Sequence, residues 1–422
     1  MRKPITDRSI TASSITDLQF VILLGAMSMI GPFAIDTLFP AFPVAGVALG
    51  VSQAMMQQTI SVYLFAFAIG SLLHGPLSDS FGRRPIVLLC IAGFVVGSLG
   101  CWFVTHFSTL LVFRAVQGFC AAGGTVISRA LVRDRFDGAR AQQATSQITL
   151  VFLVGPAIAP LVGGLILQVA GATQWRLIFA FITLYSAIVG LMLLYKLGES
   201  HPKANRLEFS APALAHSYLT ILRSQAAVWL ILAAAFNFSG LFLMISSAPA
   251  IVFGLWKLST LDLWKLFVFA MGGILLGSQL SGFVAARWTH ARTIGLGYSV
   301  MICACTAHIA YGFLVTQPTW PLAAIPILMY AAGSSLAYPS LTVLLMDRFP
   351  ERRGAAASLQ TFISLGFNGL VAGTLSPLVA GTTLKLASAQ GTIMLFGLMA
   401  YALFVWNQKC LQHSVAESVE VG

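Results

Sequence analysis

The chain has 422 residues, of which 58% are hydrophobic and only 9% are charged. Soluble domains run at about 45–50% apolar and about 25% charged, so this composition excludes an ordinary cytosolic enzyme, a disordered chain and a secreted disulfide scaffold. The formal charge of +11, from 24 Lys+Arg against 13 Asp+Glu, sits in short loops between apolar runs. It reads as membrane topology and not as the continuous basic surface that a nucleic acid needs.

Apolar runs of about 20 residues recur along the whole length, the pattern of membrane-crossing helices. In chain order they cover 18–38, 57–77, 85–104, 108–131, 145–169 and 175–197. A polar stretch follows, and six more runs cover 226–252, 263–286, 293–315, 321–346, 355–382 and 390–409. Arg2, Lys3 and Arg8 precede the first run, which is too long for a signal-peptide core and is read as an uncleaved span. The eight Trp residues all fall near an expected span end, where amphipathic rings meet the membrane interface.

The basic residues set an orientation. With the amino terminus inside, 19 of the 24 Lys+Arg lie on the inside and 4 outside, while Arg114 falls within a span. That bias places both termini in the cytoplasm. The second set of runs repeats the first at an offset of about 208 residues. The expected architecture is an all-α polytopic membrane protein of twelve transmembrane helices. It divides into a six-helix bundle at 1–197, a cytoplasmic linker at 198–225 and a second six-helix bundle at 226–422. The linker reads as a tether with mixed charges.

Three motifs carry chemistry. The first is Gly75-Pro-Leu-Ser-Asp79-Ser-Phe-Gly82-Arg83-Arg84, in the inside turn between spans 2 and 3. Gly75 and Gly82 permit tight turns at helix ends. Asp79 can dock on a helix amino terminus, and Arg83 and Arg84 can pair with Asp134 or Asp137 in the next inside loop. The second half keeps only Gly282-Phe-Val-Ala-Ala286-Arg287, with Ala286 where the acid would stand.

The second motif is Leu110-x-x-x-Arg114-x-x-Gln117-Gly118 in span 4. Arg114 lies about 9 Å deep at about 1.5 Å rise per residue, and an Arg at such depth is functional by default. Arg129 lies nearer the inner end and can snorkel. Twelve of the 13 acidic residues fall in loops, tails or span ends. Asp36 alone is embedded, near the expected outer end of span 1 and level with Arg114. An unpaired Asp there costs roughly 2.5–3.5 kcal/mol or more. An Asp36–Arg114 pair, direct or through water, is therefore expected to line a central cavity, where a proton or a cationic substrate would compete for the carboxylate. An inert, solvated Asp36 is the alternative.

The third motif is Gly155-Pro156-Ala-Ile-Ala-Pro160-Leu-Val-Gly163-Gly164 in span 5. Glycine and proline at helical spacing allow close helix approach and a kink. Phe33, Phe39, Tyr63, Asn237, Phe238 and Phe242 are candidates for an apolar, partly polar substrate cavity. His308 in span 9 reads as packing or a satisfied hydrogen bond, and His74 as a support for the turn after span 2. The six cysteines lack metal-ligand spacing and read as small apolar packing residues. There is no Gly-x-x-x-x-Gly-Lys-[Ser/Thr] loop for an ATP-driven pump. Embedded ionisable groups are too few for a membrane enzyme.

Length, span count, linker and the turn at 75–84 together resemble the major facilitator superfamily. The turn matches its signature Gly-x-Leu-x-Asp-Arg-x-Gly-Arg-Arg except at Ser80. Residues 155–164 resemble the Gly-Pro-x-x-Gly-Gly motif of its exporters, with Ala159 in place of the first Gly. With Asp36-x-x-x-Pro40, Ser128-Arg129-Ala-Leu-Val-Arg133-Asp134 and Ser246-Ser247-Ala-Pro249, the chain resembles the bicyclomycin/chloramphenicol-resistance (Bcr/CflA) branch of drug:proton antiporters. The resemblance implies that Asp36 and Arg114 couple protons and that Gly75, Asp79, Gly82, Arg83 and Arg84 latch the two halves in the outward-facing state. Gln117 and Gly118 belong to the span 4 motif, and Gly155, Pro156, Pro160, Gly163 and Gly164 to the antiporter motif. The expectation is proton-coupled efflux of amphipathic molecules or drugs by a monomer in the inner (plasma) membrane. Its partners are a small-molecule substrate, protons and the lipid bilayer, with no nucleic acid, cofactor or metal. The alternative is a specific exporter or importer of an endogenous amino acid, sugar or nucleoside.

Overall fold

The computed structural model describes residues 15–206, 208–285 and 287–420. Arg2, Lys3, Arg8 and Ala286 lie outside the described residues. Twelve helices among the described residues are long and apolar enough to cross a membrane. Spans 1 to 6 are Asp17–Leu49, Gln53–Phe81, Arg83–Phe103, Phe107–Arg135, Gly138–Ala170 and Leu177–Lys196. Spans 7 to 12 are Gln225–Ser246, Thr260–Val284, His290–Leu314, Leu322–Arg348, Arg353–Val379 and Thr383–Cys410.

Local sequence explains the ends. Thr16 opens span 1 with a capping box: its hydroxyl accepts from Gln19 N, and the Gln19 side chain accepts from Thr16 N. Such a cap is worth about 1 kcal/mol. Gly82 separates spans 2 and 3 at φ 105°, a left-handed geometry that a side chain resists. Any Cβ there would also run into Glu199 and Arg206.

Span 1 does not stop at residue 38. The helix of Asp17–Asp36 passes through a short 3-10 turn, Phe39–Ala41, into a further helix, Phe42–Leu49. Pro40 and Pro43 stand in the first turns of these two short helices, in a packed segment that continues the crossing. Asp36 therefore stands near the middle of its span and not at its end. Span 5 begins earlier than expected, at Gly138, because its first turns are polar. Trp175 is fully buried beside Arg176, away from any interface role.

Twelve crossings return the chain to the face from which it starts. That face holds the turn between spans 2 and 3 and the linker, and it is called here the basic face. In the first half, span 4 packs on spans 2 and 3, span 1 on span 5, and span 6 on span 3. In the second half, span 10 packs on spans 7, 8 and 9, and span 12 on spans 7 and 9. The halves meet along spans 2 and 11 and along spans 5 and 8.

Direct bonds between the halves gather at the face opposite the basic one. Gln57 Nε2 donates to Ser246 O at 2.7 Å, Gln58 Nε2 to Gly373 O at 2.7 Å and Ser61 Oγ to Gly369 O at 2.7 Å. Phe39 of span 1 meets Phe267 of span 8 at 6.0 Å between ring centroids. No other hydrogen bond or ion pair joins two spans across the halves among the described residues.

The linker is not a loose tether. It contains a helix, Ala211–Arg223. Tyr218 on that helix donates to Leu72 O of span 2 at 2.9 Å and lies beside Ser358 of span 11. Burial pushes the Tyr218 hydroxyl up to about 12, so it remains a neutral donor at physiological pH. The linker thus bridges the halves near the basic face.

Candidate functional site

Span 4 carries the buried charge. Arg114 is wholly buried, so each of its N–H groups needs an acceptor or leaves a costly orphan. Nε donates to Thr59 O of span 2 at 3.2 Å, and Nη1 donates to Ala34 O of span 1 at 2.9 Å and to Gln117 Oε1 at 2.9 Å. The guanidinium carbon lies 4.5 Å over the Tyr63 ring, a cation–π contact. Nη2 has no partner.

The support extends outward. Gln117 Nε2 donates to Ser98 Oγ of span 3 at 2.8 Å, which fixes the amide so that Oε1 faces Arg114. Gly118 lets span 2 approach: a Cβ there would land on the Tyr63 peptide. Spans 1, 2, 3 and 4 together hold one guanidinium.

Asp36 is 5% exposed and lies within electrostatic range of Arg114. Of the pair expected from sequence, direct or through water, the direct ion pair is not formed in this conformation. Arg114 instead reaches the backbone carbonyl of Ala34, two residues before Asp36. The Asp36 carboxylate has no hydrogen-bond or ion-pair partner among the described residues. The structure therefore brings Asp36, Arg114 and Tyr63 together with Gln117 and Gly118, but it keeps the two charges apart.

The glycines of span 5 face two neighbours. Gly155 lies against Met29 and Pro32 of span 1, and a Cβ on Gly163 would strike Thr37 O of the same span. Gly164 faces Thr260 and Leu261 of span 8, across the boundary between the halves. Pro156 and Pro160 are buried between these contacts. The motif sits where span 5 touches both the Asp36 helix and the second half.

The turn residues are wired within the first half and to the linker. Arg83 pairs with Asp79 and, at 3.1 Å, with Asp134. Arg84 Nη2 donates to Leu194 O at 2.8 Å. Glu199 of the linker accepts from Arg83 N at 2.9 Å and from Arg84 N at 3.3 Å, and so caps span 3. Ser200 Oγ donates to Asp134 at 2.7 Å. Neither Asp79, Arg83 nor Arg84 bonds to the second half in this conformation.

The six cavity candidates do not share one pocket. Phe33 stacks on Tyr185 of span 6 at 5.4 Å, inside the first half. Phe39 belongs to the seal with Phe267, and Tyr63 lies under Arg114. Asn237 is buried within the second half, accepting from Ser334 Oγ at 2.8 Å. Phe242 is buried as well. Phe238 alone is partly exposed, with its ring edge-on to Tyr338 at 6.4 Å. Aromatic identity does not reveal which side of a helix faces a neighbour, which is why sequence grouped them.

His308 Nδ1 pairs with Gln390 Oε1 at 3.1 Å, a hydrogen bond between spans 9 and 12. His74 is buried against Phe119. All six cysteines are free; Cys303 and Cys410 are exposed. Sequence reasoning did not find Thr59 and Ala34, whose backbone oxygens carry the role and whose side chains give no signal.

The family description Major Facilitator Superfamily matches residues 23–373. A bicyclomycin resistance protein homolog of Haemophilus influenzae is 26% identical over 390 residues, 90% of this chain and 95% of its own. Multidrug resistance protein D of Escherichia coli is 23% identical, over 81% of this chain and 84% of its own. Among solved structures, a D-xylose–proton symporter superposes with a TM-score of 0.71 at 18% identity, covering 92% of this chain and 97% of that one. The chain belongs to the Major Facilitator Superfamily, as a multi-pass transporter of the bacterial inner membrane and not an enzyme.

Proposed function

We propose that this transporter exports amphipathic small molecules in exchange for protons, by alternating access. The observation that carries the reading is the separation of Asp36 from Arg114. A buried carboxylate and a buried guanidinium share one site, yet neither neutralises the other directly. A proton on Asp36 changes the field in which Arg114 sits and so changes which acceptors suit it. That gives a titratable element whose state can bias the packing of spans 1, 2 and 4.

The basic bias supports a cytoplasmic basic face. On that reading the conformation described above is closed to the outside by the bonds of span 2 with spans 7 and 11. In the proposed cycle, substrate binds from the cytoplasm while Asp36 is ionised. The halves then rock about the span 1–5–8 contacts. Outside, substrate leaves and a proton enters. Each charge moved inward draws about 2.3 kcal/mol per 100 mV, so one proton sustains roughly a fiftyfold gradient at that potential. The drug-resistance names of the relatives support efflux over import.

The test is uptake of radiolabelled chloramphenicol and a small panel of amphipathic drugs into inverted membrane vesicles with an acidic interior. Uptake that a protonophore abolishes supports the reading. A correctly inserted protein that moves no panel member under any gradient, but moves a single metabolite, would replace it with a specific carrier.

A further inference from the structure

Arg129 lies six residues before the end of span 4, about 9 Å from the basic face at about 1.5 Å per residue. Sequence reads it as a snorkelling charge. Ser128, one residue earlier, is buried and accepts from Ser28 Oγ of span 1 at 3.3 Å. Val126 lies on the side that meets Gly75 of span 2. Arg129 falls between those two positions around the helix, is exposed, and forms no hydrogen bond or ion pair among the described residues. Across the gap it lies within electrostatic range of Tyr338 on span 10 of the other half.

Tyr338 is not isolated. Gln360 and Ser364, one turn apart on span 11, flank its hydroxyl. Gln360 is 2% exposed and Ser364 6%. Gln360 Nε2 is held by Thr342 Oγ1 at 2.8 Å, while Gln360 Oε1 and Ser364 Oγ have no neighbour to bond except the one Tyr338 hydroxyl between them. A single hydroxyl has one proton to donate, so this buried polar cluster, opposite an exposed cation, keeps hydrogen-bonding capacity for a ligand. Phe238 supplies an apolar wall beside Tyr338.

We propose that Arg129, Tyr338, Gln360 and Ser364 form a recognition subsite for the anionic or acceptor-rich end of an amphipathic substrate. Arg129 supplies charge-assisted donors, and the Ser364 and Tyr338 hydroxyls supply neutral ones. Gln360 orients the cluster through Thr342. Phe238 receives the apolar body. The subsite lies nearer the basic face than Asp36 does. Substrate therefore meets it on entry, and the Asp36–Arg114 couple remains available to the proton. This selectivity rests on the reading of the chain as a carrier of amphipathic molecules, but not on proton coupling.

The test is equilibrium binding to the purified full-length protein in nanodiscs, without any gradient, using two probes with one fluorophore. Dansylglycine carries a carboxylate and dansylcadaverine an ammonium; the signal of empty nanodiscs is subtracted. Wild type is expected to bind dansylglycine at least tenfold more tightly. Arg129→Gln, at an exposed position that leaves folding intact, is expected to erase that preference, and Ser364→Ala to weaken dansylglycine alone. No saturable dansylglycine binding, equal binding of both probes by wild type, or an unchanged preference in Arg129→Gln would each overturn the proposal. Failure of proton coupling would show in the vesicle assay with Asp36→Asn and leave this binding result standing.

Discussion

Arg114 Nη1 lies 2.9 Å from the Ala34 carbonyl, and Asp36, two residues further along the same helix, is left without a partner. The guanidinium is satisfied mainly by backbone oxygens, which cannot change their charge. Asp36 is the member of the site that can. The guanidinium and the carboxylate are thus held separately on neighbouring spans.

Arg114→Lys tests the fork geometry. One ammonium cannot reach Thr59 O, Ala34 O and Gln117 Oε1 from the same stem. The stranded acceptors should cost about 1–3 kcal/mol of stability. Export is expected to fall at least tenfold. Thermal unfolding in detergent and vesicle transport measure the two effects; wild-type values in both would contradict the assignment.

Gly118→Ala tests the close approach of spans 2 and 4. The added methyl meets the Tyr63 peptide, which has no room to yield. Overpacking of this kind costs about 1–3 kcal/mol. Gly272→Ala, where nothing lies within 4 Å, is the control and should leave the melting temperature unchanged or slightly raised.

The seal opposite the basic face can be locked. A Cβ built on Gly373 would lie 2.8 Å from Ser61 Cβ, within reach of a disulfide after a small shift. Ser61→Cys with Gly373→Cys, in a background where exposed Cys303 and Cys410 are Ser, should cross-link under oxidation. Mass spectrometry identifies the linked peptides. Turnover should stop and return on reduction; undiminished transport by the cross-linked protein would contradict alternating access through this seal.

Glu199→Ala tests the linker. It removes the cap of span 3 and the pair with Arg206 at 3.5 Å. Loss of a cap costs about 0.5–2 kcal/mol. If the docked linker holds the basic face in the conformation described here, transport rate should fall several-fold while probe affinity stays constant. No change in rate would return the linker to the role of a tether.

Much of the architecture is legible in the sequence because the membrane imposes it. Twelve runs of apolar residues must be helices, and an Arg at position 114 must be held by something. The end of span 1 was not legible, since the helix breaks before Pro40 and Pro43 yet the chain continues the crossing in a second, short helix. Arg114 and Asp36 were legible as embedded charges; their arrangement was not, because Ala34 and Thr59 act through carbonyl oxygens that every residue has. Arg129 was legible as a charge near the inner end of span 4, but the neighbours it faces were not. Depth along a helix is countable from sequence, but the direction a side chain takes depends on which neighbours pack beside it. Glu199 and Tyr218 were invisible in a polar stretch, since docking of a linker is decided by the surface it meets.

The most direct measurement is proton movement in inverted vesicles energised to an acidic interior, comparing wild type with Asp36→Asn at equal insertion. Addition of a transported drug should alkalinise the interior in wild type and leave the pH unchanged in the variant. Equal drug-triggered alkalinisation in both would show that Asp36 does not carry the coupling and would contradict the central claim.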